Sequence, residues 1–450
     1  MDRRTRAYRS LSPCLADAFL AGPWDPAALA TRAGLVLEPR PPWIGLLVRN
    51  VLAAYERRPA DRPRELARYI ALQLERVDAD TAGPRPRVRR WLLAELAMVR
   101  RPWPVPELAS VGAVANHLEV SDRHLAWLAD VRGLERTGSD EKLRHYRYGW
   151  LPRHGGPPRV IERPKARLKS IQRRVLHEIL DWIPAHDAAH GFTRGRSARS
   201  NAAAHTRRPV VMALDLEDFF ASVRAPRVYG IFRTAGYPEP VAHTLTGLCT
   251  NAVPIEEWAA VPHPTASPLA QAHHRLGRRL ATPHLPQGAP TSPALANLAA
   301  FTLDRRLTGL ALALDATYTR YADDLTFSGS SRLLDRGGQI RATIATIARE
   351  EGFAVNTRKS VVTTRAARQQ VCGIVVNDRL NVTRHEYDEL KAIIHNAARR
   401  GPSGENRAGL SDFRAHLLGR IAWIESLHPA RGARLRSQFT RIVWDRQGAA

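Results

Sequence analysis

Apolar residues recur at helical spacing from Leu11 to about Arg101, with breaks at Gly22-Pro23, Pro41-Pro42, Pro59 and Gly83-Pro84. That pattern predicts four or five short helices. The stretch Arg101-Pro102-Trp103-Pro104-Val105-Pro106 then reads as a stiff, extended connector and a domain boundary, because closely spaced prolines exclude regular helix. From Val111 to Asp130 the spacing predicts two further short helices around Val120-Ser121-Asp122, with Ser121 as an N-cap. From Tyr146 onward short apolar strands alternate with helices, which predicts an α+β body. After Asn381 helical spacing returns at Leu390, Ile393, Ile394 and Ala397, then at Leu417, Ile421 and Ile424. Arg399, Arg400, Arg431, Arg434, Arg436 and Arg441 are interspersed there, so the chain ends in a basic helical module.

Charge narrows the class of partner. The 450 residues carry 68 Lys and Arg against 43 Asp and Glu, a formal charge of +25, which favours a large polyanion such as nucleic acid. The excess is concentrated: residues 141 to 210 hold 16 Lys and Arg against 5 acids. A solvated basic surface alone would spread it more evenly. The 44% hydrophobic content is enough for a sizeable core and for two to four domains. Cys14, Cys249 and Cys372 are too few and too scattered for a disulfide framework or zinc knuckle, and His273-His274 with Cys249 has no zinc-like spacing. The basic start Met1-Asp2-Arg3-Arg4-Thr5-Arg6 is followed by no long uncharged apolar run. No signal peptide or membrane span is expected, and the expected location is cytoplasmic. The pair of helices around Ser121 weakly resembles a helix-turn-helix, although ordinary helical packing accounts for it better.

The chemistry gathers in two segments. Tyr318-Thr319-Arg320-Tyr321-Ala322-Asp323-Asp324-Leu325-Thr326-Phe327 places two acids between β-favouring runs, and Val210-Val211-Met212-Ala213-Leu214-Asp215 ends a second apolar strand on a third acid. Adjacent aspartates alone are common in surface turns. Three acids on strand ends can instead hold two divalent ions about 4 Å apart, one activating a hydroxyl and the other steadying a leaving pyrophosphate. After Asp215, the Leu216 carbonyl can complete the metal shell. Phe220, five positions on, can sit beneath an incoming sugar where a ring would collide with a 2′-hydroxyl; core packing is the alternative for both Phe219 and Phe220. Leu285-Pro286-Gln287-Gly288-Ala289-Pro290-Thr291-Ser292-Pro293 brings backbone close to a ligand ahead of an apolar helix from Ala294 to Leu303.

These blocks occur in a recognisable order. Gly191-Phe192-Thr193-Arg194-Gly195-Arg196-Ser197, Asp215 with Phe219-Phe220, Pro286-Gln287-Gly288-Ala289-Pro290-Thr291-Ser292-Pro293 and Tyr321-Ala322-Asp323-Asp324 resemble the succession found in bacterial reverse transcriptases. Gly352-Phe353-Ala354-Val355-Asn356-Thr357-Arg358-Lys359 and Val371-Cys372-Gly373-Ile374-Val375-Val376-Asn377 are similar to the next two blocks, so the likeness spans roughly residues 111 to 440. Within that family the chain looks most like a retron enzyme, because Asn201-Ala202-Ala203-Ala204-His205 fits an Asn-Ala-x-x-His element. A second retron hallmark, Val-Thr-Gly, reads Val371-Cys372-Gly373 here.

The resemblance implies a right-hand polymerase of fingers, palm and thumb, α+β in class, with an α-helical N-terminal extension: 1-105 extension, 106-214 fingers, 215-380 palm and 381-450 helical thumb. It implies metal ligation by Asp215, Leu216, Asp323 and Asp324, with two Mg2+ ions as cofactors. Arg159, Arg167, Lys169 and Arg173 fall in a segment similar to the triphosphate grip, where guanidinium groups clamp phosphate oxygens. Phe220, Gln287 and Ala289 join them at the nucleotide. Tyr321, Gly195, Arg196, Ser197, Cys372 and Gly373 are expected at primer and template. Asn201, Ala202 and His205 form the retron-type RNA element, with either an RNA or a structural contact expected at His205. Lys359 is placed to protonate or neutralise departing pyrophosphate, surface exposure after a turn being the alternative. The implied partners are a structured noncoding RNA serving as template and primer, its DNA product, deoxynucleoside triphosphates and an effector protein, with no membrane. The rival expectations are a group II intron or diversity-generating enzyme, the former disfavoured by the short segment after Asn377, and an RNA-binding scaffold restraining a toxic effector.

Overall fold

The computed structural model describes residues 3–77, 86–138, 140–153, 156–265 and 267–444, and the break expected at Gly83-Pro84 lies outside them. The chain divides into two compact units, one of residues Met1–Pro184 with Val223–Leu295 and one of Ala185–Ser222 with Ala296–Ala450. Among the described residues no helix is long and apolar enough to cross a membrane.

The first unit begins with α1 (Arg3–Leu20), α2 (Pro26–Val36), α3 (Ile44–Ala54) and α4 (Pro63–Val77). Asp25 caps α2 by accepting from the Ala28 N–H, and Pro26 occupies the first helical position, where a missing N–H costs nothing. Leu15, Phe19, Leu29, Leu47, Leu66 and Ile70, all fully buried, form the core of this bundle. These four helices match the lower number expected, but the helical spacing read as far as about Arg101 does not produce helix there: from Val88 to Ser110 the chain has none. Leu92, Ala94 and Leu96 pack on the bundle core at a spacing of two, the period of an extended chain, and Glu95 and Ala97 donate backbone N–H groups to Leu20 and Ala60.

This bundle is bolted to the helices Ala225–Thr234 and Glu239–Cys249 of the same unit. Glu239 Oε2 accepts from the backbone N–H groups of Arg64 (2.6 Å) and Glu65 (3.3 Å), an external cap on the first turn of α4. Arg233 grips Asp61 through its carboxylate at 2.8 Å and its carbonyl at 3.0 Å. Gly236 sits at φ +103°, and a Cβ there would lie 1.9 Å from the Arg100 carbonyl oxygen, so glycine is required for this approach.

The two short helices expected after the connector are Val111–His117 and Asp122–Leu128, and Ser121 caps the second by accepting from the His124 N–H. An antiparallel hairpin follows, β1 (Tyr146–Leu151) with β2 (Arg159–Pro164), and then a helix over Ala166–Glu178. The apolar helix expected over Ala294 to Leu303 is instead two, Ser292–Ala299 and Phe301–Ala313, with a break at Ala300.

The second unit is built on a four-stranded antiparallel sheet of β3 (Val210–Leu216), β4 (Thr317–Tyr321), β5 (Asp324–Gly329) and β6 (Val355–Thr364), in the spatial order β4-β5-β3-β6. β3 is apolar on both faces and central, as a strand flanked by neighbours on both sides requires. Helices Phe301–Ala313 and Gly337–Glu350 pack against the sheet through buried residues such as Leu303, Leu307, Ile340 and Ile344. A short hairpin, β7 (Gln370–Val371) with β8 (Ile374–Val375), leads into helices Arg384–Arg400, Phe413–Leu427 and Pro429–Phe439. Leu390, Ile394, Leu417, Ile421 and Leu435 share one core with Val371 and Ile374 of the hairpin.

Candidate active site

The register of the sheet brings the acids together. β3 pairs with β5 so that Asp215 lies directly opposite Asp324, and β4 pairs with β5 so that Tyr321 faces Asp324 across the Ala322-Asp323 turn. The Leu216 N–H donates to the Asp323 carbonyl at 2.9 Å, tying the end of β3 to the turn itself. On the other side, β6 sets Asn356 opposite Asp215, and Lys359 Nζ stands 2.9 Å from Asp215 Oδ1. Asn356 Nδ2 donates to the second oxygen at 3.3 Å.

Crowding of carboxylates leaves an electrostatic mark. Asp324 is raised to about 6 by burial of its carboxyl, then by the neighbouring charges of Asp323 and Asp215, with Lys359 opposing. Among the described residues no three His, Cys, Asp or Glu side chains already converge on one metal position, and Asp215 faces the Lys359 ammonium instead. The donor set still fits a hard divalent cation: the ligands are carboxylate oxygens, and their mutual repulsion is charge that a cation would neutralise.

The turn is strained and braced. Ala322 lies at φ +56°, a conformation side chains rarely adopt. Arg320, fully buried, donates from Nη1 to the Ala322 carbonyl (3.0 Å) and to Asn297 Oδ1 (3.0 Å). Its Nε and Nη2 form a bidentate pair with Asp304 at 2.8 and 2.6 Å, and Tyr318 adds a third bond to the same carboxylate. Gly191 makes room alongside, since a Cβ there would lie 2.5 Å from the Ala322 nitrogen. Sequence reasoning missed Arg320, Asp304, Asn297 and Asn356. A guanidinium in a β-favouring strand of Thr and Tyr was the available signal, because burial there demands an acid.

The two phenylalanines divide their roles. Phe219 is buried against Phe353 and beneath the Arg320 guanidinium, whereas Phe220 is half-buried between Phe219 and the exposed Phe192. Arg196 binds Asp187 and reaches His190, with Gly195 at φ +76° before it. Ser197 caps the helix Ala198–Ala203 in a capping box with Ser200, a local use of the hydroxyl expected at primer and template.

The retron-type element turns inward. Asn201, Ala202 and His205 are all fully buried, and His205 hydrogen-bonds Ser328 Oγ and Thr319 Oγ1, both at 2.7 Å. His205 thus makes a contact within the fold, to two strands of the sheet, and its imidazole has no exposed surface. Burial, with His190 and Arg208 nearby, lowers it to about 3, so the ring stays neutral. Asn201 Nδ2 donates to Cys372 Sγ at 3.3 Å, which joins the two retron-like elements directly. Cys372 and Gly373 form the two-residue turn of β7–β8 at φ +51° and +77°, the left-handed pair that such a tight hairpin requires.

In the first unit, Arg159 is exposed on β2, and Arg167, Lys169 and Arg173 are exposed on the helix Ala166–Glu178. Their neighbour Arg174 is engaged by Glu178 and Glu119. Gln287 is half-buried, but the Ala289 side chain is only 4% exposed, so it packs the loop and does not line a surface.

The sequence profile of the reverse transcriptase (RNA-dependent DNA polymerase) family matches residues 151–390. The chain belongs to that family, with the three acids and their sheet inside the matched span. Its similar curated proteins include the retron Mx65 reverse transcriptase of Myxococcus xanthus, 41% identical over 66% of this chain and 64% of the relative. The retron Mx162 reverse transcriptase of the same organism is 35% identical over 75% of this chain and 67% of its own length. The retron Ec86 reverse transcriptase of Escherichia coli is 30% identical over 63% of this chain and 76% of its own. The chain thus spans about two thirds of the two Myxococcus proteins. Among solved structures, telomerase from Candida albicans with a telomeric RNA fragment aligns over 64% of this chain and 54% of its own at 10% identity and a TM-score of 0.36, a likeness too slight to bear on the fold.

Proposed function

We propose that the protein is a retron-type RNA-directed DNA polymerase, which copies a structured noncoding RNA from deoxynucleoside triphosphates into single-stranded DNA. In this reading synthesis starts from a 2′-hydroxyl of the RNA, the product stays joined to it as a branch, and the system acts in the cytoplasm in antiphage defence together with an effector protein. The observation that carries the reading is the register that sets Asp215 opposite Asp324 with Asp323 in the adjoining turn. The named retron relatives support the subtype.

Residues 106–214, 215–380 and 381–450 then serve as fingers, palm and thumb, with 1–105 as a brace for the fingers. Two magnesium ions held by Asp215, Asp323, Asp324 and the Leu216 carbonyl would supply the Lewis-acid chemistry, activating the primer hydroxyl and stabilising the leaving pyrophosphate. Lys359 neutralises Asp215 in the resting site and is available to the departing phosphate. Arg159, Arg167, Lys169 and Arg173 bind the triphosphate, and Gln287 orients it. Phe220 excludes ribose by occupying the space of a 2′-hydroxyl. Tyr321, Gly195, Arg196 and Gly373 contact primer and template.

The test is to incubate purified protein, the RNA encoded beside it and deoxynucleotides with magnesium, and to look for DNA that remains RNA-linked until debranched. Linear products from ordinary primers alone, or no DNA at all, would overturn the proposal.

A further inference from the structure

The first unit contains a buried ion-pairing residue set that the acidic site does not use. Glu162 on β2 is 1% exposed and His284, just ahead of the Leu285–Ala289 loop, is 0% exposed. His284 Nε2 lies 3.0 Å from Glu162 Oε1, and its Nδ1 lies 2.8 Å from the Thr282 carbonyl oxygen. One proton therefore sits between Oε1 and Nε2, whichever atom carries it, and another on Nδ1. The second Glu162 oxygen accepts from Asn251 Nδ2 at 2.7 Å, and Asn251 also donates to the Tyr148 hydroxyl at 3.0 Å. Asn251 and His284 exchange both backbone hydrogen bonds, each at 2.9 Å. Every polar atom of the pair is engaged.

The same glutamate holds the loop. Its backbone N–H donates to the Gln287 carbonyl at 2.9 Å, and the Gln287 N–H approaches Oε1 at 3.4 Å. Gly288 takes φ +136°, and a Cβ there would lie 2.7 Å from the Glu162 carbonyl oxygen. Thus one residue of β2 fixes the loop through its main chain and, through His284, fixes the segment that enters it. Three residues away on β2 stands the exposed Arg159.

We propose that Glu162 and His284 are positioning residues for the incoming nucleoside triphosphate: they lock the Leu285–Ala289 loop onto β2, so that Gln287 and Arg159 present a fixed spacing to base and phosphate. This rests on the polymerase reading above. A buried pair serving only stability would shift unfolding without selectively changing nucleotide affinity, and that is where the two roles part.

The experiment measures deoxynucleotide KM and kcat separately in DNA synthesis on an RNA template, with thermal unfolding, for wild type, Glu162→Leu, Glu162→Gln and Gly288→Ala. Glu162→Leu and Gly288→Ala are expected to raise KM by about 10-fold or more while kcat changes less than about 3-fold. Glu162→Gln, whose amide can donate to Nε2 of a neutral His284 and accept from Asn251, is expected to keep KM within about 3-fold of wild type. Wild-type KM in folded Glu162→Leu or Gly288→Ala, or a loss confined to kcat, overturns the assignment. Should Glu162→Leu fail to fold, Gly288→Ala decides alone, because Gly288 is exposed and outside the core. A wild-type protein that makes no DNA, either on a primed RNA template or on the RNA encoded beside it, overturns the polymerase reading, and this proposal with it.

Discussion

Arg320 and Asp304 are both wholly buried, bound to one another through two hydrogen bonds and to Tyr318, Asn297 and the Ala322 carbonyl through others. Lys359 and Asp215, on the other side of the same sheet junction, meet through one contact, with the lysine side chain 46% exposed and the aspartate 11%. Every side-chain nitrogen of Arg320 and both carboxylate oxygens of Asp304 are hydrogen-bonded, so breaking the first pair strands a charge in a low dielectric. The second is open to water and can be exchanged for another cation at little cost. The acidic turn is thus held rigid by a pair that cannot let go and has one of its charges balanced by a pair that can, which is the arrangement a site needs if its geometry is to persist while its counter-ion changes.

Substitutions sharpen this contrast. The largest effect is expected from Asp323→Asn, which should lower DNA synthesis by about 1,000-fold or more with little change in melting temperature, since each 1.4 kcal/mol of lost transition-state stabilisation is about tenfold in rate. Activity above a tenth of wild type would remove Asp323 from the site. Arg320→Met should destabilise the fold by about 3–5 kcal/mol in urea unfolding, because Asp304 is left charged and unpaired; a shift below about 1 kcal/mol would mean the brace is dispensable. Lys359→Met should do the reverse, reducing synthesis by about 10- to 100-fold while moving stability by less than about 1 kcal/mol.

The smallest effect belongs to His205 and depends on pH. In the unfolded chain its imidazole protonates near 6.5, whereas in the fold it resists until about 3. Between those values the unfolded state binds the extra proton, so stability is complete above pH 6.5 and falls as the pH drops, by about 1.4 kcal/mol per unit from this group. Urea midpoints measured at pH 7.5, 6 and 5 should fall less steeply in His205→Gln than in wild type; parallel curves would show that the ring is not buried as a neutral group.

Local chemistry was legible where a residue declares its own neighbours. Ser121 ahead of Asp122 marked a cap, and β-favouring runs on either side of Asp323-Asp324 marked a hairpin. The stretch Trp91 to Leu96 misled because its apolar residues suit both a period of 3.6 and a period of two, and only the bundle beside it decides between them. Asp304 lies one residue past the helix read as apolar, Ala294 to Leu303, and its partner lies 16 residues on. Glu162 and His284, 122 residues apart, carry no local sign of each other at all. Asn201, Ala202 and His205 were legible as an element but not as an inward-facing one, since burial is a property of the strands that cover them.

The Glu239 carboxylate that closes the first turn of α4 also bears on how shortened forms of the protein behave. Removing the amino-terminal bundle would strip that carboxylate of both backbone amides and leave Arg233 without its acid, injuring the helix pair 225–249 from a distance in sequence. Any trimmed chain is thereby a double lesion, and pairing the deletion with Glu239→Gln and Arg233→Met is the way to tell the loss of a module from the wound left at its socket.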